Sequence, residues 1–301
     1  MRCSMPKKQT AVARKSGIVG NASYLLLAQV AAMLSPAVTA ILVARKMDVA
    51  EFAAFSYALA LIAVATSVMT AGLAGLAIRE ITSGLSIGRA EASGTLKSIV
   101  ALRELFSCIG VAVILLFAYL GQSDISVVTL TAVLSFSLFF RAADAIEFWQ
   151  QAQEKVSYFV LLRVSVIMLS TGIRAVLILN GTSLTVVVAS MVIESAVLSG
   201  ASWVYNRNSS IPVNISSRRG QSALQLLKMS WVLLLSGLLA QLSMRLGVIY
   251  LGNFSDATEV AQFAAASRLT EFAFVLPVVV TTASFPRLLR TRSEHGRDSS
   301  Q

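Results

Sequence analysis

The heptapeptide Val111-Ala112-Val113-Ile114-Leu115-Leu116-Phe117 lies inside a predominantly apolar run of about 20 residues, and seven more such runs occur along the chain. They cover 18–44, 53–77, 98–120, 126–150, 158–179, 183–205, 230–252 and 260–284. Runs of this length exceed what a core helix needs and match the span of a hydrocarbon layer. Only helices and closed β-barrels satisfy their backbone hydrogen bonds in that layer, and barrel strands alternate apolar with polar residues. The heptapeptide does not alternate. The expected fold is therefore all-α, a polytopic membrane protein of about eight helices.

Composition agrees with this reading. Charged residues make up 13% and hydrophobic residues 56% of the 301 residues, against about 25% charged in a soluble domain. The first run follows Arg2, Lys7, Lys8, Arg14 and Lys15, but it is about twice the length of a signal-peptide core and is read as a membrane helix. A net charge of +10 could suit nucleic acid if the basic residues shared one soluble face. They are scattered between apolar runs, which excludes that partner. Cys3 and Cys108 cannot build a disulfide framework, and the one histidine, His295, lies in the polar tail. No metal site, cofactor site or histidine-based catalytic triad is expected.

Basic connections stay on the cytoplasmic side of a membrane. Lys and Arg occupy the N-terminal tail, the connections 78–97 and 206–229, the segment around Lys155 and the tail after 285. The connections 121–125, 180–182 and 253–259 contain neither, and in 45–52 Asp48 and Glu51 offset Arg45 and Lys46. Every second connection is basic, so an even number of spans with both termini cytoplasmic is expected.

The connection 206–229 reads as a linker, and the sequence after it resembles the chain's beginning. Leu25, Leu26, Leu27, Leu34, Ser35, Ile41 and Asp48 match Leu233, Leu234, Leu235, Leu242, Ser243, Ile249 and Asp256 at a constant offset of 208. Phe52, Ala53, Ala54 and Ser56 match Phe263, Ala264, Ala265 and Ser267 three residues further on. Leu/Ala-rich helices also match by composition alone, so repeat and coincidence both stand. A true repeat would be a parallel one.

A resemblance emerges at this point. The segments Ala44-Arg45-Lys46-Met47-Asp48-Val49-Ala50-Glu51-Phe52-Ala53-Ala54-Phe55-Ser56, Phe148-Trp149-Gln150-Gln151-Ala152-Gln153-Glu154-Lys155 and Phe285-Pro286-Arg287-Leu288, with the basic N-terminus, resemble the O-antigen type polysaccharide flippases of the multidrug/oligosaccharidyl-lipid/polysaccharide exporter superfamily. Family members usually have twelve to fourteen spans in two lobes of six. The resemblance implies an N-terminal lobe over 1–205, a cytoplasmic linker over 206–229, and the first two helices of a second lobe with a cytoplasmic tail over 230–301. On that reading the chain is truncated and would not complete an alternating-access cycle by itself. The implied activity is transfer of a lipid-linked oligosaccharide across the bacterial inner membrane for polysaccharide or lipopolysaccharide synthesis. The implied partners are a polyprenyl-pyrophosphate glycan, membrane lipids, and a polysaccharide polymerase or a second copy of the chain. Export of organic cations, as by the multidrug members, and a non-transporting role are the alternatives. An embedded glycosyltransferase or acyltransferase would need a metal motif or a sizeable extramembrane domain, and the sequence offers neither.

Charges inside the spans locate the expected site. At about 1.5 Å per residue, Glu194 and Glu271 fall near the midplane, Arg141 about 5 Å inward, Arg245 and Arg268 about 6 Å outward, and Arg163 and Arg174 about 8 Å to either side. A charge at such a depth requires a protein interior or a water-filled cavity. Arg163 and Arg174 return to nearly the same face of a helix with no acid of its own, and are expected to line a cavity. Arg141 with Asp144, and Arg268 with Glu271, are spaced for pairing within one helix. Arg103, Glu104 and Glu147 are close enough to a span end to snorkel. The expected anion-binding set is Arg245, Arg268, Arg174, Arg163 and Arg141. Glu194, Glu271 and Asp144 are the ion-coupling or ion-pair candidates. Arg245 and Arg268, on consecutive antiparallel spans at one depth, form the expected centre, with a pyrophosphate or Glu271 between them. Pro36 and Pro277 are expected to kink the first and eighth spans.

Overall fold

A computed structural model describes residues 7–70, 73–121, 124–153, 157–208 and 222–271. Among them every regular element is helical. In order these are α1 (Lys7–Lys46), α2 (Val49–Thr70), α3 (Leu73–Ile87), α4 (Arg89–Gly121), α5 (Ile125–Ser135), α6 (Ser137–Arg141), a 3-10 turn (Ala142–Asp144), α7 (Ala145–Ala152), α8 (Ser157–Leu179), α9 (Leu184–Asn208) and α10 (Ala223–Phe254). A further helical stretch runs over 257–271.

Seven stretches of the described chain are long and apolar enough to cross a membrane, and they coincide with the first seven expected spans. The eighth, 260–284, is described as helix only to residue 271. Pro277 and the remainder lie outside the described residues.

Polar residues end the helices where they are needed. The Asp124 carboxylate accepts from the Ser126 N–H at 2.8 Å and starts α5. Ser222 and Gln225 exchange side-chain and backbone bonds in a capping box that opens α10. Between α8 and α9, Gly181 has φ of 70°, and the Thr182 N–H reaches the Leu177 carbonyl at 3.2 Å. This is the six-to-one closure of a Schellman turn, which needs a left-handed residue and finds glycine.

The expected fourth span, 126–150, is not one continuous helix. It breaks into α5, α6, the 3-10 turn and α7, with no proline or glycine at the break. At the tightened turn the Ala142 N–H bonds the Phe139 carbonyl, while the Leu138 carbonyl lies 3.1 Å from the Ser107 hydroxyl of α4. A buried serine on a neighbouring helix thus provides for a carbonyl at the distortion.

Apolar residues flanking four helix–helix connections, among them Val43 with Phe52, Ala118 with Val127, Ile178 with Leu184, and Val248 with Val260, belong to one cluster. Ala77, Ile81, Ala92, Leu96, Trp149 and Leu226 form another, bordering the basic connections. Successive connections therefore alternate between the two ends of the bundle, in step with their alternation in charge. α8 packs along α1, and α10 packs along α2. The α2–α10 seam is close: a Cβ at Gly252 would collide with the Tyr57 ring, and the Tyr57 hydroxyl donates to Asn253 Oδ1 at 3.3 Å. The second arm of the sequence similarity is thus carried against α2, α3 and α4.

Candidate functional site

Two adjoining cavities lie among these helices, and the intramembrane charges collect around them. The larger, about 550 Å³, opens between α1, α2, α10 and 257–271. Its walls are largely apolar, and its ionisable side chains are Arg141, Arg245, Arg268 and Glu271. The smaller, about 220 Å³, is bounded by α1, α2, the broken span, α8 and α9. Ser35, Ser137, Ser195, Asp144, Glu194 and the guanidiniums of Arg141, Arg163 and Arg174 face it. Pro36, Leu59, Ile62 and Arg141 line both. Arg141 is therefore a cation at their junction.

All eight expected site residues reach one cavity or the other, in two groups. Arg174 is only 2% exposed. Its Nη1 donates to Glu194 Oε2 at 2.5 Å and its Nη2 to Ser35 Oγ at 2.7 Å, with Thr171 Oγ1 at 3.3 Å. Thr171 Oγ1 is itself 2.6 Å from Ser35 Oγ. This network joins α1, α8 and α9 one residue before Pro36. Proline has no N–H to offer the carbonyl four residues back, so α1 is locally weakened where the network anchors it.

Arg163 pairs with Glu147, whose other oxygen accepts from Gln151 Nε2 at 3.2 Å. The expectation that Glu147 snorkels is therefore corrected, since it crosses to α8 as the counter-ion of a cavity arginine. Arg103 is corrected too. It is 2% exposed, its Nε donates to the Met69 carbonyl at 3.3 Å, and its guanidinium lies 4.9 Å from the Phe148 ring centroid. α4 begins at Arg89, nine residues before the apolar run, so Arg103 is about 21 Å along the helix instead of at its edge.

Arg141 and Asp144 form no salt bridge, contrary to their spacing. The 3-10 turn separates them. Arg141 faces the cavity junction, whereas Asp144 lies within electrostatic reach of Arg103 and Arg163. Neither has an ion-pair partner within 4.0 Å among the described residues.

At the larger cavity, Glu271 bridges two arginines. Oε1 accepts from Arg245 Nη1 of α10, and Oε2 accepts from Arg268 Nη1 at 3.4 Å. The antiparallel neighbours do bring Arg245 and Arg268 together, with a carboxylate between them. Among the described residues, three cations against one acid leave an excess of two positive charges on this cavity. Arg245 Nε is buried without an acceptor among the described residues. Such a cavity can take an anion with several acceptor oxygens, while its apolar walls suit hydrocarbon. Among the described residues no cluster of His, Cys, Asp and Glu could hold a metal ion.

A family model described as polysaccharide biosynthesis protein matches residues 18–292. No curated protein matches the chain.

Proposed function

Since the chain belongs to the polysaccharide biosynthesis protein family, a family of membrane proteins, we propose that it is a carrier and not an enzyme, and that it moves an anionic lipid-linked oligosaccharide across the bacterial cytoplasmic membrane. The observation that supports this reading most is the larger cavity, where, among the described residues, Arg141, Arg245 and Arg268 meet a single acid in a largely apolar chamber. A polyprenyl diphosphate must lose hydration to cross hydrocarbon, and arginine forks replace water around phosphate oxygens. An exporter of organic cations would require acids facing its path, and Glu271 is already held by two arginines. α1 and α2 on one side of the cavity and α10 with 257–271 on the other are the opposed elements that alternating access uses, and a second copy of the chain, a partner the resemblance implies, completes the second wall, with both termini on the cytoplasmic side.

The test is transport in proteoliposomes carrying a fluorescent polyprenyl-diphosphate disaccharide, read by the fraction of reporter reached by an impermeant reductant. Wild-type protein is expected to raise that fraction with time. Arg245→Ala and Arg268→Ala should abolish the rise, and Arg245→Lys and Arg268→Lys should keep part of it. Wild-type rates in both alanine variants would overturn the assignment of the larger cavity and direct the search to Arg163 and Arg174.

A further inference from the structure

An arginine pair facing a cavity in a bilayer is surrounded by competitors. Every anionic phospholipid has a phosphodiester that can accept from a guanidinium, and such lipids vastly outnumber a lipid-linked precursor. Selectivity therefore needs an element acting against the singly charged headgroup. Glu271 has the position for this, with one carboxylate oxygen on Arg245 and the other on Arg268. We propose that Glu271 is a built-in counter-ion that holds the singly charged phosphodiesters of bulk lipid below the affinity needed to occupy the arginine pair, a barrier that a diphosphate headgroup overcomes with the help of Arg141. This rests on the larger cavity being the headgroup site.

Charge bookkeeping gives the mechanism. A phosphodiester bears one negative charge. To reach the pair it must displace one carboxylate, so one anion replaces another while Glu271 loses two partners in a low-dielectric chamber. The exchange gains nothing. A diphosphate bears at least two charges. One replaces the carboxylate, and the second falls to Arg141, which lines the same chamber without an ion pair among the described residues. The Nε of Arg245, which has no acceptor among the described residues, is a further donor that becomes useful only to a ligand with additional oxygens. Glu271 thus sets a threshold of two charges, and Arg141 rewards the ligand that passes it.

The full chain, purified in a neutral detergent, is titrated with two probes, geranylgeranyl diphosphate and dioleoylphosphatidylglycerol. Dissociation constants are measured for wild type, Glu271→Gln, Glu271→Asp, Arg245→Ala and Arg268→Ala, with helix content followed by circular dichroism. Wild type is expected to prefer the diphosphate by at least about tenfold. In Glu271→Gln both probes should bind more tightly by about tenfold or more, because neither then has a carboxylate to displace. Glu271→Asp keeps the charge on a shorter arm and should lie between the two. Unchanged phosphatidylglycerol affinity in both Glu271 variants overturns the counter-ion proposal while leaving the headgroup site in place. Unchanged diphosphate binding in both arginine variants overturns the site itself, whatever the Glu271 variants do.

Discussion

Arg174 Nη2 lies 2.7 Å from the Ser35 hydroxyl, which ties α8 to α1 immediately before Pro36. The same guanidinium is bonded to Glu194 of α9, so three helices share one buried charge pair. Removing one partner leaves the other charged and without its counter-ion inside the bundle, whereas removing both does not. Arg174→Leu is expected to destabilise the protein by about 3–5 kcal/mol. Arg174→Leu/Glu194→Leu should cost clearly less than the two single changes combined. Unfolding in mixed detergent measures all three, and additivity would show that the pair is not coupled.

The α2–α10 seam allows a steric test. Gly252 faces the Tyr57 ring at a distance that admits no side chain. Gly252→Ala should destabilise by about 1–3 kcal/mol, because the ring must move from a buried site. Tyr57 is 2% exposed, so it cannot swing freely into the surroundings. Tyr57→Ala in the Gly252→Ala background should recover part of the loss. An alanine at 252 without effect on the unfolding midpoint would mean that the two helices are farther apart.

The alternation of connections predicts a sidedness. Reporters fused after Gln122, Gly181 and Ser255 should read as external, and those after Ser93 and Ser216 as cytoplasmic. Apolar residues beside the non-basic connections share one cluster and those beside the basic connections another, which assigns the connections in the same alternating way. An external signal from Ser216 would falsify the even number of spans before it, and with it the separation of the chain into two groups of helices by 206–229.

Spans and intramembrane charges were legible in the sequence because hydrocarbon imposes length and penalises charge one residue at a time. Partners were legible only in part. Arg268 and Glu271 pair as their spacing suggests, since the helix through them is regular. Arg141 and Asp144 do not, because the broken fourth span carries no proline or glycine to announce the break. The positions of Arg103 and Glu147 escape the sequence for a related reason: depth counted from the edge of an apolar run fails when the helix continues beyond it. α4 extends nine residues past that edge, and no residue count shows that Glu147 faces Arg163 across two helices. The meeting of Arg141 with Arg245 and Arg268 at one cavity depends on α10 packing along α2, a contact nearly 200 residues apart in sequence.

Arg141 separates binding from folding more cleanly than any other charge at the site. Arg163 and Arg174 each hold an acid of their own and Arg245 and Arg268 share Glu271, so removing any of them takes a partner from a carboxylate and affects stability. Arg141 holds none among the described residues, although it lines both cavities. Arg141→Ala should therefore leave the unfolding free energy within about 0.5 kcal/mol of wild type, as for a substitution that orphans no buried group. Its effect should appear in ligand affinity instead. A charge-assisted hydrogen bond contributes about 1.5–3 kcal/mol, so binding of geranylgeranyl diphosphate should weaken by about tenfold to a hundredfold. Arg141→Lys, which keeps the charge and loses the fork, should fall between. Binding and unfolding measured on the same preparations decide the matter. If Arg141→Ala binds diphosphate as tightly as wild type but unfolds as readily as Arg174→Leu, Arg141 serves the broken fourth span and the headgroup site is confined to Arg245 and Arg268.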